Sequence, residues 1–188
     1  MADEVRKTAL NILNALDEGD NTLDRHLEDV LRNKTHFSKK DRALLQTLVY
    51  GVLRWRGRLD WIIDYFSNTR LNKINPKVLN ILRLGLFQII YLERIPVSAA
   101  VNTSVEMTKT VAAPWIVGYV NGLLRNAVRE HEDVVFPDVG KDPVKALATE
   151  KSFPPWLIKR WLDRFGLKRT GLLCDAINTI PPITVRCN

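Results

Sequence analysis

Arg54-Trp55-Arg56-Gly57-Arg58 gathers side chains that could hold an anionic polymer. Guanidinium groups fork onto phosphate oxygens, and an indole offers a flat face to an unpaired base. On a continuous helix, Arg54 and Arg58 share one face, and Trp55 lies among them. The arginines read either as phosphate contacts or as a solvated face. Trp55 reads either as a stacking platform or as a ring packed in the core. Asp60 and Asp64 are also spaced i, i+4. That spacing could serve acid–base work, but a solvated face partnered by Arg56 or Arg58 accounts for it better. Arg6 and Lys7 lie near the start of the first helix, where the helix dipole disfavours positive charge. Either they are kept for a partner, or Asp3 and Glu4 balance them.

Other chemistries find no support. His26, His36 and His131 are scattered, and none has a second ligand at zinc spacing, so no metal site is expected. Ser38, Ser98 and Ser104 lack a glycine elbow, and caps and turns account for Ser38 and Ser98. No glycine-rich loop follows a strand, which removes dinucleotide and phosphate-loop binding. Cys174 and Cys187 form no Cys-x-x-Cys pair and suggest reduced thiols in the cytosol. No apolar run reaches the roughly 18 residues that cross a bilayer. Asp3 and Glu4 stand where a signal peptide has its basic end. The expectation is a cytoplasmic chain without membrane contact and without a catalytic centre of its own.

Charge narrows the partner. The 188 residues carry a formal net charge of +7. Residues 32–83 hold 12 Lys or Arg against three acids, Asp41, Asp60 and Asp64, while the remaining residues hold 16 bases against 18 acids. A localised basic excess attracts polyanions and speeds their encounter.

The elements that must carry these side chains are helical. Val5, Ala9, Ile12, Leu13 and Leu16 recur at steps of three and four until Gly19. Leu23, Leu27, Val30 and Leu31 repeat the pattern behind Asn21-Thr22. Ser38 and Asp41 fit a capping box, followed by Leu44, Leu45, Leu48, Val49, Val52 and Leu53. That face resumes at Leu59, Ile62, Ile63 and Phe66, with Gly57 as the expected bend. Asn75-Pro76 starts a helix that is apolar around most of its circumference and is predicted to be central. Pro96 and Pro114 introduce two more. Residues 131–141, with Pro137 and Gly140, read as a linker. Asp142-Pro143 caps a short helix. Pro154-Pro155 opens another, with Trp156, Ile158, Trp161, Leu162 and Phe165 as its apolar positions and Gly166 as its stop. A last helix runs to about Asn178. Ile183, Val185 and Cys187 then alternate with the period of a strand. The predicted class is all-α: a helical bundle over residues 1–130, then 142–188 as a helical extension with one C-terminal strand-like segment.

Several of these stretches resemble a known family. Asp41-Arg42-Ala43-Leu44-Leu45 with Val49-Tyr50-Gly51-Val52-Leu53-Arg54 is similar to a NusB-like domain. So are Ile81-Leu82-Arg83-Leu84-Gly85-Leu86-Phe87-Gln88 with residues 95–102, and Val120-Asn121-Gly122-Leu123-Leu124-Arg125. They stand in order over nearly all of residues 4–130. Two branches share that fold. One is the free-standing transcription antitermination factor, which binds a short RNA and a small ribosomal protein. The other is the N-terminal domain of the Sun/Fmu (RsmB) type of ribosomal RNA cytosine-C5 methyltransferase. The tail, from Phe153-Pro154-Pro155-Trp156 through Asn178 to residues 181–188, resembles the start of the second RNA-binding domain of the methyltransferases.

The resemblance implies a substrate-recognition part of such an enzyme, with small-subunit ribosomal RNA and the protein's own C-terminal methyltransferase domain as partners. S-adenosylmethionine is then the cofactor of the full-length protein, with none bound by this chain. The family's cofactor loop and its nucleophilic cysteine in a Pro-Cys context have no counterpart here, so neither Cys174 nor Cys187 takes a catalytic role. By the same resemblance Arg6 and Lys7 match basic residues of an RNA surface, with Asn121 and Arg125 near it, though Asn121 also suits a cap or a packing hydrogen bond. Arg54, Arg56 and Arg58 rest on charge and spacing alone. A strand at 183–188 has no partner in the sequence, so it is expected to begin a further α/β domain. Two alternatives stand: a free-standing antitermination factor, and a helical protein-interaction scaffold that never touches RNA.

Overall fold

Helix caps set the boundaries of the chain. The computed structural model describes residues 2–19 and 21–180. It divides into two compact units, Met1–Val134 and Val135–Asn188. The first holds α1 (Ala2–Glu18), α2 (Leu23–Asn33), α3 (Lys39–Arg54), α4 (Arg56–Phe66), α5 (Pro76–Tyr91), α6 (Val97–Lys109) and α7 (Pro114–Glu130). The second holds α8 (Pro143–Lys151) and α9 (Pro155–Asn178). Short 3-10 turns lie at Leu71–Lys73 and His131–Asp133. No described residue is in a strand, and the strand-like alternation at 183–188 lies outside the described residues.

The expected caps form. Ser38 Oγ accepts from the Asp41 amide while Asp41 accepts from the Ser38 amide, closing the box that starts α3. Asn75 Oδ1 accepts from the Lys77 amide at 2.9 Å ahead of Pro76, and Asp142 Oδ1 does the same for Lys145 at 2.9 Å ahead of Pro143. Gly19 ends α1 at φ +81°, and Gly166 interrupts α9 at φ +73°, both in the region where a Cβ is strained.

Two expectations change. The bend placed at Gly57 occurs at Trp55, whose φ of −100° and ψ of 14° end α3 and begin α4. The Gly57 backbone stays helical inside α4. Second, Trp156 and Phe165 do not join the buried face of α9; they keep 66% and 37% of their surface exposed.

The apolar helix is central, as its composition implies. α5 packs against α1, α3, α4, α6 and α7. Every residue from Asn80 to Gln88 is buried. Such enclosure demands close approach, and Gly85 supplies it. A Cβ there would lie 2.8 Å from Ser104 Oγ on α6 and 3.0 Å from Leu124 on α7. In the second unit, Leu147, Ala148, Ile158 and Cys174 form a separate core between α8 and α9.

Candidate nucleic-acid interface

The corner between α3 and α4 uses its side chains inwardly. Because Trp55 leaves the helical region, the continuous face expected for Arg54 and Arg58 is broken between two helices. The half-buried Trp55 ring stacks on Tyr91 at 5.0 Å and 18°, and Tyr91 stacks on Phe87 at 5.3 Å and 27°. The Arg58 guanidinium lies 5.8 Å from the Trp55 ring centre, within cation–π range. Trp55 therefore packs rather than standing free for a base. Arg54 is half-buried at the end of α3.

Arg56 turns toward α1 and donates to Asp17 Oδ1 at 2.9 Å. Behind it runs a network across three helices. Arg83 of α5, 4% exposed, donates to both oxygens of Asp60 at 2.7 and 2.9 Å and to Asn80 Oδ1 at 2.8 Å. The Asn80 amide donates to Asn14 and to Asp17, each at 3.0 Å. Partial burial alone would raise the Asp17 pKa. The Asn80 amide and the charges of Arg56 and Arg83 outweigh it and hold that carboxyl below its ordinary value. Asp60 thus finds Arg83, and Asp64 is exposed.

Arg6 and Lys7 separate. Arg6 is 5% exposed, and its Nε donates to the buried Gln88 of α5. Its Nη1 lies 3.5 Å from Asp3. This burial takes Arg6 off the outer surface and leaves Lys7 as the exposed base of that turn. Glu4 holds Lys34 at 2.6 Å and His36 at 3.2 Å. The acids at the start of α1 therefore pair with Arg6 and with the loop before α3.

Asn121 and Arg125 come together one turn apart on α7. Arg125 is exposed and Asn121 half-buried. Arg125 lines a groove of about 330 Å³ with Ser98 and Asn102 of α6 and Arg129 of α7. α6 also faces α1, where Thr103 Oγ1 donates to Asp3 at 3.4 Å. Two guanidinium groups beside a hydroxyl and an amide suit phosphate and sugar oxygens. Arg129 was not among the residues expected from the sequence; projecting α7 onto a helical wheel sets it one turn beyond Arg125. No described helix is long and apolar enough to cross a membrane, and no described cluster of His, Cys, Asp and Glu could hold a metal ion.

The aromatic stack has a titration signature. Burial pushes the Tyr91 phenol up to about 12, against a weaker opposing pull from Arg58. A raised value in the fold means that its stabilisation is intact below the ordinary 10.0 and is lost as pH rises through about 12. Ultraviolet titrations of the wild type and of Tyr91→Phe should differ by one step centred near pH 12. A difference step centred at the ordinary value would show a solvated ring and refute the stack.

The comparisons with known proteins agree with this architecture. Residues 3–129 match the model of the NusB family. The chain is 39% identical over 185 residues to the probable ribosomal RNA small subunit methyltransferase B of Bacillus subtilis (strain 168), spanning 98% of this chain but only 40% of that protein. The crystal structure of antitermination factors NusB and NusE with double-stranded RNA aligns at a TM-score of 0.60 and 22% identity, over 68% of this chain and 95% of that one. The crystal structure of PH0851 aligns at 0.69 and 16% identity, over 96% of this chain and 39% of that one. A bundle with α5 enclosed by five helices, matched by the family model over most of the chain, places this protein in the NusB family.

Proposed function

We propose that this chain is the RNA-recognition part of a small-subunit ribosomal RNA methyltransferase, N-terminal to a catalytic domain that modifies cytosine at C5. The observation that carries the reading is the 39% identity to methyltransferase B of Bacillus subtilis over 98% of this chain, against 40% of that protein. The RNA surface is assigned to exposed Lys7, to Arg54, to Asn121 and to Arg125 in the α6–α7 groove. Arg6 is buried against Gln88, Arg58 lies over the Trp55 ring, and Arg56 is paired with Asp17, so these three are left out of that surface.

The described residues do not fit S-adenosylmethionine, the methyl donor of the whole enzyme. The resembled methyltransferases hold that molecule on a glycine-rich loop of an α/β domain, and the described residues form helices, turns and loops. Cys174 is buried in the α8–α9 core, where burial and then Asp175 push its thiol up, the reverse of what a nucleophile requires. On this reading methyl transfer belongs to another domain of the whole protein, and this chain contributes binding and orientation of the RNA.

Filter binding to small-subunit ribosomal RNA fragments across a salt series tests the reading. The wild type should bind with a steep salt dependence. In Lys7→Ala/Arg54→Ala/Arg125→Ala the slope should flatten by about one unit per lost phosphate contact. Folding should change by less than about 0.5 kcal/mol at each of the exposed sites, Lys7 and Arg125, and by no more than about 1 kcal/mol at half-buried Arg54. Wild-type affinity and slope in the triple variant would refute the assigned surface. Absence of RNA binding by the wild type would refute the reading itself. A stable complex with a small ribosomal protein would favour the antitermination role.

A further inference from the structure

The basic charge of the second unit is concentrated on one segment. Residues 155–170 hold Lys159, Arg160, Arg164, Lys168 and Arg169 against Asp163, whereas residues 135–154 hold as many acids as bases. α9 directs Ile158, Trp161 and Leu162 onto the core of that unit, where Trp161 meets Phe153 edge-on at 5.5 Å. Trp156 faces the other way and keeps 66% of its surface exposed. It lines a shallow groove of about 430 Å³ with Lys159, Arg160, Asp163 and Arg164. Counted from Trp156, these are positions i+3, i+4, i+7 and i+8, so they share one helical face. No ion pair of Lys159, Arg160 or Arg164 is seen among the described residues. Trp115 provides the contrast: it is 74% exposed on α7, but Gly118, Tyr119, Gly122 and Leu123 occupy the same offsets.

An exposed indole ringed by three cations and one acid matches a flexible polyanion that carries flat apolar faces. The cations select phosphate, and the ring selects a base whose face is free. A duplex hides those faces in its stack, so the ring adds nothing to duplex binding. We infer that this face of α9 binds unpaired RNA, with one base stacked on Trp156 and adjacent phosphates held by Lys159, Arg160 and Arg164. The inference rests on the proposed RNA-recognition role and gives the second unit a preference for unpaired strand.

Fluorescence anisotropy tests it with two labelled probes, an unpaired oligoribonucleotide and a fully paired RNA duplex. Trp156→Ala should weaken binding to the unpaired probe roughly tenfold, the effect of losing one stacked base, with its salt slope and the duplex affinity unchanged. Trp156→Phe should retain most of the affinity. Lys159→Ala/Arg160→Ala/Arg164→Ala should flatten the salt slope on the unpaired probe by roughly 0.7 per lost contact. Circular dichroism should show unchanged helicity in each variant, since these side chains lie outside the core. If Trp156→Ala binds the unpaired probe like wild type, or weakens both probes equally, the stacking site is wrong while the RNA-recognition role stands. If the wild type binds neither these probes nor ribosomal RNA fragments, both fall.

Discussion

Arg83→Ala should lose about 2–4 kcal/mol of unfolding free energy, somewhat under the roughly 3–5 kcal/mol for breaking a fully buried ion pair, because Asp60 keeps 25% of its side chain accessible. Arg83 is 4% exposed and makes three charged or polar hydrogen bonds, two to Asp60 and one to Asn80. Alanine would leave a carboxylate and an amide oxygen beside an apolar helix without their donor. It would also remove the charge that helps hold Asp17 ionised between α1, α4 and α5. Arg56→Ala is the control. Its pair with Asp17 is well exposed, with the Arg56 side chain 42% accessible, and such pairs contribute no more than about 1 kcal/mol. Urea unfolding of the two variants gives the comparison. The Arg83→Ala midpoint should fall sharply at an unchanged slope. Arg83→Met with Asp60→Leu should recover most of the loss, because exchanging both partners for apolar groups removes the stranded charge. A loss below about 1 kcal/mol for Arg83→Ala would show that water compensates the carboxylate and that the network does not hold the helices.

That network marks the limit of what the sequence makes legible. Helix starts are local events, so Ser38 with Asp41, Asn75 with Pro76, and Asp142 with Pro143 can be read from three or four residues. The apolar circumference of α5 likewise states its own burial. The orientation of a base is not local. A long side chain can lay its stem on apolar surface and send its charge either to solvent or to a distant carboxylate. Arg56 meets Asp17 across 39 positions, and Arg6 meets Gln88 across 82. No spacing rule anticipates either pair. The excess of bases in residues 32–83 therefore overstates the outward charge of that stretch, since Arg83 lies inside and Arg56 is paired with Asp17. The cations of α9 are hidden for a different reason. A count by stretch merges them into a nearly balanced remainder, and hydrophobicity alone places Trp156 with Trp161. Only the helical face that Trp156 shares with Lys159, Arg160 and Arg164 sets them apart.

Gly51→Ala should destabilise the protein by about 1–3 kcal/mol, the usual cost of overpacking a filled core. Helix propensity alone gives the opposite sign, since alanine inside a helix gains about 0.5–1 kcal/mol over glycine. Space decides between them. A Cβ on Gly51 would run into Phe87 Cζ and lie 2.5 Å from Cε1 and Cε2. Rotating the tip of a free ring away would cost little. Phe87 is 4% exposed and stacks on Tyr91, which in turn stacks on Trp55. A displaced Phe87 must therefore push the pile or separate α3 from α5. The same geometry explains why a glycine stands in the interior of α3, where φ is ordinary and no turn requires it. A double-mutant cycle isolates the cause. Phe87→Leu alone opens a void and should cost stability, but Gly51→Ala in that background should be neutral or favourable, giving a coupling energy of about 1 kcal/mol or more. If Gly51→Ala alone raises the unfolding midpoint, propensity has won, the ring moves freely, and the close approach of α3 to α5 is not what selects glycine.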